Sequence, residues 1–130
     1  MREFADPILG TLRPEPENGW WRVVVNIDGQ NIEFTLGGDA VPDAALLWHA
    51  HDIVSNFKEF NRRLDQFLES HAARYPGARA EVKRLRLEGV SLSSPQHPND
   101  GMIFFSGGGD DRVWRCDYIQ REFRMLGCDT

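Results

Sequence analysis

From Trp20 to Leu36 apolar residues fall at every second position, and from Leu46 to Phe67 they recur every three or four. Alternation returns from Val82 onward. Period two marks a half-buried strand and period 3.6 an amphipathic helix, so the chain reads as strands, helix, strands. Trp20 to Ile27 and Gln30 to Leu36 flank Asp28-Gly29, a dipeptide suited to the positive φ angles of a two-residue type I′ turn. A turn there sets Val25 opposite Ile32, Val23 opposite Phe34 and Trp21 opposite Leu36 on one apolar face. Arg22, Asn26, Asn31, Glu33 and Thr35 fall on the other, so pattern and turn chemistry select one register. Upstream, Ile8 to Leu12 reads as a short first strand, followed by a break at Pro14, Pro16, Asn18 and Gly19.

Gly37-Gly38 ends the hairpin and Pro42-Asp43 opens a helix, with Asp39 or Asp43 available as the cap. Its stripe is Leu46, Ala50, Ile53, Phe57, Phe60, Leu64 and Phe67, widened by Leu47, Val54 and Leu68. Pro76-Gly77 stops it. A span of about 30 residues is long for a small domain, so the pattern predicts one long central helix or two with a bend near Ser55-Asn56. Val82 to Leu87 then reads as a strand whose apolar phase slips after Gly89, the mark of a bulge. A Pro-containing loop from Ser94 to Gly101 leads into Met102 to Phe105. Gly107 to Gly109 turns the chain into Arg112 to Ile119, and Gln120-Arg121 turns it into Phe123 to Leu126. These elements predict an α+β fold, an antiparallel β-meander of about six or seven strands packed on the helix, in one domain over residues 1–130. Three strands precede the helix and four follow it, and a count of six also fits.

Composition narrows the function classes. At 41% hydrophobic and 27% charged, the 130-residue chain suits a globular core rather than disorder. A net charge of −5 favours basic partners and disfavours nucleic acid and anionic membranes. No apolar run approaches the ~18 residues of a membrane span, and the first residues carry Glu3 and Pro7 where a signal peptide needs an apolar stretch. The expected compartment is the cytoplasm. Cys116 and Cys128 are too few for a disulfide framework and suit buried thiols, with a bridge across the last hairpin as the alternative.

Candidate chemistry is sparse. On a helix, His49 and His51 point about 200° apart, unlike metal-binding histidines at i,i+3 or i,i+4. Cys116 shares strand parity with Trp114 and Tyr118, which reads as packing rather than as half of a Cys–His pair. Ser106-Gly107 lacks a nucleophile elbow, and the triple glycine precedes a strand rather than a phosphate-binding helix. Basic residues at Arg79, Lys83, Arg84 and Arg86, and at Arg112, Arg115, Arg121 and Arg124, interleave with aromatics, yet no RNA-binding signature accompanies them. No catalytic, cofactor or metal residues are assigned. Asp100, Asp110 and Asp111 form acidic loops suited to a solvated rim or to docking a basic partner. Trp20 falls on the face opposite Trp21, where it is either an exposed anchor or covered by a neighbouring segment.

Asp6-Pro7-Ile8-Leu9-Gly10-Thr11-Leu12, then Gly19-Trp20-Trp21, the long helix, Phe104-Phe105 and Val113-Trp114-Arg115-Cys116-Asp117-Tyr118 together resemble a group of uncharacterised bacterial domains. That group opens on D-P-x-x-G-x-L and carries tryptophan-containing strands. The resemblance implies an immunity-type role, in which the chain binds a toxin domain, and it brings no catalytic residues. The expected function is therefore non-enzymatic protein binding, using Trp20, Asp100, Asp110 and Asp111. The alternatives are a small enzyme assembled around Cys116, His97 or the acids, and a homo-oligomeric structural protein.

Overall fold

The computed structural model describes residues 2–109 and 112–129. Four strands come first: β1 (Phe4–Asp6), β2 (Gly10–Glu15), β3 (Trp20–Ile27) and β4 (Gln30–Gly37). Helices α1 (Ala44–Ser55) and α2 (Phe57–Arg74), a 3₁₀ turn and the short α3 (Arg79–Lys83) follow. The chain closes with β5 (Arg86–Leu92), β6 (Gly101–Ser106), β7 (Val113–Ile119) and β8 (Glu122–Asp129). All eight strands form one sheet in sequence order.

The central hairpin takes the expected register, with Val25 opposite Ile32, Val23 opposite Phe34 and Trp21 opposite Leu36. Asp28 and Gly29 adopt φ of +52° and +84°, the left-handed pair that a type I′ turn needs. Asp43 is the helix cap, its Oδ2 accepting from the amides of Ala45 at 3.0 Å and Leu46 at 3.2 Å. The bend falls at Asn56, whose φ of −115° and ψ of 36° leave the helical region. Its side-chain amide donates to the Asp52 carbonyl and carboxylate, competing with the backbone ladder and dividing the run into two helices. Leu46, Ala50, Ile53, Phe57, Phe60, Leu64, Leu68 and Ala72 are buried against the sheet, while Phe67 is half-buried.

Two expectations change. The sheet has eight strands, not six or seven, because three-residue β1 is too short to show a period and pairs with Gly10 to Leu12. Only that part of β2 meets β1; Arg13 to Glu15 pair with β3, so Pro14 sits where the strand is an edge and its missing N–H costs no ladder bond. Nor is the sheet a pure meander. The helices carry the chain across from β4, and β5 returns beside it in parallel, with Glu33 opposite Gly89 and Thr35 opposite Ser91. Seven antiparallel or parallel neighbours thus include one parallel junction.

The strand start at Val82 is also corrected. Val82 and Leu85 are both buried, but they lie three residues apart on a helical turn, with Leu85 N–H donating to the Val82 carbonyl. Spacing of three serves that turn as well as alternation serves a strand. Beyond it the expected bulge is present between Leu87 and Gly89. Gln120 and Arg121 turn β7 into β8 with φ of +51° and +63°. Met125, at φ +56°, accompanies a second register shift that kinks the edge strand β8.

Candidate binding face

The helices cover one face of the sheet, and each strand sends alternate side chains to the other. On that outer face one row runs Val24, Glu33, Gly89, Phe104 and Arg115 across five strands. The next runs Arg22, Thr35, Ser91 and Met102. Three of the four positions on the two parallel strands in the middle are small, Thr35, Gly89 and Ser91, with Glu33 the exception and larger residues on β3 and β6. The result is a trough along β4 and β5, floored by Thr35, Gly89 and Ser91 and walled by Trp20, Arg22, Phe104 and Val113. It encloses about 400 Å³. Trp20 is 39% exposed there, while its neighbour Trp21 is 2% exposed in the core. Val113 on the wall is 53% exposed, and Val24, beside Glu33 in the same row, is 59% exposed, so the surface around the trough is apolar as well as charged.

Trp20 also lines a second hollow of about 630 Å³ at the end of the trough, with Gly37, Gly38, Asp39, Val41 and Pro95. Gly37 is required in the second hollow: a Cβ there would meet the Ser93 carbonyl oxygen at 2.5 Å. Arg22 is clasped by Glu15 at 2.7 Å and Glu33 at 2.5 Å, which hold its guanidinium pKa above the ordinary value, Glu15 first. Farther out, Arg13 pairs with Glu3 at 3.1 Å. Glu88 at the bulge is exposed and takes part in no ion pair among the described residues.

Of the described binding candidates, Trp20 and Asp100, only Trp20 lines this trough. Asp100 stands on the loop before β6, where its Oδ1 accepts from the Gln120 amide at 2.7 Å and steadies the β7–β8 turn. Asp110 and Asp111 lie outside the described residues. Thr35 and Gly89 read from sequence only as an outward position and a bulge, and Ser91 not at all, because small residues on a strand carry no binding signal until the strands beside them are known.

The remaining polar groups serve the fold. His49 and His51 do point apart. His49 is buried, with Nδ1 2.6 Å from the Pro98 carbonyl and its ring stacked on Tyr118, and its Nε2 has no partner among the described residues. Burial pushes its pKa below the ordinary histidine value, ahead of the opposing Pro98 contact. His51 reaches Asp6 at 2.8 Å. Burial alone would raise the Asp6 carboxyl, but the Leu9 amide, His51 and the Ile8 amide outweigh it and hold it below the usual range. Arg121 joins Asp52 at 2.6 Å and Asn99 at 2.9 Å while lying over the Trp48 ring. Glu81 accepts from the Trp114 indole and from Arg112, tying α3 to the β6–β7 connection.

Burial pushes the Cys116 thiol up to about 12, so it packs as an uncharged group at neutral pH. Cys128 is exposed, and both cysteines are free. His97 is exposed on the loop before β6. Among the described residues, no three His, Cys, Asp or Glu side chains gather as metal ligands would. No helix is long and apolar enough to cross a membrane. No family model matches the chain, and neither a curated protein nor a solved structure matches it.

Proposed function

We propose that this chain is a non-enzymatic protein-binding domain that docks its partner in the trough on the open face of the sheet, with Trp20 as the anchor. The observation that carries this reading is the half-exposed Trp20 ring standing beside a hollow floored by small residues. Tryptophan is enriched among the few side chains that dominate binding energy, and such anchors act by filling or framing pockets. Covering Trp20, Val24 and Val113 would bury apolar area that folding leaves in water. An immunity-type role, with a toxin domain as the partner, fits the net charge of −5 and the sequence resemblance. The free state of both cysteines supports a reducing, cytoplasmic setting for that encounter.

The test is affinity capture from the native cell with three tagged chains: wild type, Trp20→Ala and Ser91→Trp, read by mass spectrometry. The last fills the trough from an outward strand position. The expected result is a stoichiometric protein held by wild type, lost from Ser91→Trp, and weakened about thirtyfold by Trp20→Ala, the equivalent of about 2 kcal/mol. Identical capture by all three folded chains removes the trough as the docking site.

A further inference from the structure

We infer that the trough receives a basic, extended segment of the partner protein, seating one arginine or lysine side chain beside Trp20 between Glu33 and Glu88. This rests on the docking reading and names the chemistry of what docks.

The charge lining the two hollows that share Trp20 is one-sided, and Arg115, beyond Phe104 in the same row, is paired with Asp129. The lining of the hollows includes a single cation, Arg22, against Glu33, Glu88, Asp39 and Asp43. Arg22 is already matched twice over, because Glu15 and Glu33 both hold it. The clasp therefore carries net negative charge, and Glu88, next to Gly89 in the bulge of β5, adds another carboxylate to the lining. A partner that brought acids here would meet like charge at short range, which costs affinity and association rate.

Shape and surface favour a side chain rather than a bare ion. The indole of Trp20 offers a face for a cation, an attraction of about 0.5–2 kcal/mol depending on solvent access. Gly89 puts no side chain between Glu33 and Phe104 in the same row. The aliphatic stem of Arg or Lys can lie over that floor while its charged head reaches the carboxylates. The second hollow lies on the other side of Trp20 and reaches Pro95, giving the flanking residues of an extended segment a place to lie.

The experiment titrates the whole isotope-labelled chain with a short capped peptide, Gly-Val-Arg-Val-Gly, and with versions carrying lysine, citrulline or glutamate at the centre. Nuclear magnetic resonance reads the Trp20 indole and the Gly89 and Ser91 amides. Expected are saturable shifts of these signals with the arginine and lysine peptides, about tenfold weaker binding of neutral citrulline, and none with glutamate. Glu33→Gln combined with Glu88→Gln should bring the arginine peptide down to the citrulline level, while unchanged signals elsewhere report an intact fold. Equal binding of arginine and citrulline peptides overturns the cationic assignment and leaves the docking reading intact. Absence of any shift in the trough overturns the inference, whereas the docking reading falls only if wild type, Trp20→Ala and Ser91→Trp all capture the same protein equally. Spermidine binding as strongly as the peptides, or the same signals moving with the concentration of the chain alone, would assign the trough to a free amine or to a second copy and also overturn it.

Discussion

Trp20 and Trp21 are the same residue at adjacent positions of one strand, and they meet opposite environments. Trp21 packs among Leu36 and its core neighbours, edge-on to Phe4, with its indole N–H donating to the Asp39 carbonyl at 3.3 Å. Trp20 looks out across Gly37 onto the trough. Strand pleating alone separates them, since successive side chains leave opposite faces. The helices then make one face a core and leave the other to solvent. Apolar area buried on the inner face stabilises the fold; apolar area left on the outer face is available for association.

The sharpest way to break that comparison is to truncate each ring. Trp21→Ala should destabilise the chain by about 3–5 kcal/mol, the usual cost of emptying a large aromatic site, measured as a shift in the denaturant midpoint. Comparable loss from Trp20→Ala would mean the outer ring is structural and the two faces are not different in kind. The next test uses a cap rather than a core residue. Asp43→Ala should cost about 1 kcal/mol by freeing the Ala45 and Leu46 amides.

Acid offers a third contrast, because the inner side holds buried titratable groups. The folded pKa of His49 lies below its ordinary 6.5, so in the window beneath 6.5 the unfolded chain takes up the proton first. Stability is fully present above about 6.5 and falls as the pH drops toward the folded value. Asp6 adds a separate loss lower down, since its depressed pKa makes stability fall only below 3.8. Denaturant midpoints between neutral and mildly acidic pH should decline in wild type and flatten in His49→Gln. An unchanged slope would acquit His49. The smallest expected effect is on stability in Trp20→Ala, within about 0.5 kcal/mol of wild type, as for surface substitutions away from special features.

Much of the fold was legible because it rests on local rules. Asp28-Gly29 set the hairpin register, Asp43 the helix start, Asn56 the bend, and the phase slip the bulge near Gly89. Val82 misled because burial at i and i+3 serves a helical turn as readily as a strand edge. Three-residue β1 was invisible because a period cannot show in so short a span. Of the candidate site only Trp20 could be read in advance, as the odd-parity tryptophan of a strongly patterned strand. Asp100 looked like a docking acid, yet it caps a turn, because nothing local announces that Gln120 will come within reach.

What the sequence determined by itself was which residues alternate, where turns and caps fall, and which side of each strand is apolar, since all of these depend on neighbours a few positions apart. Only the tertiary structure decided that β5 lies beside β4. That parallel pairing joins residues more than fifty positions apart and brings Thr35, Gly89 and Ser91 together as the floor beneath Trp20. No local pattern encodes it, because it arises when the helices bury their apolar stripe on one face and return the chain along the neighbouring strand.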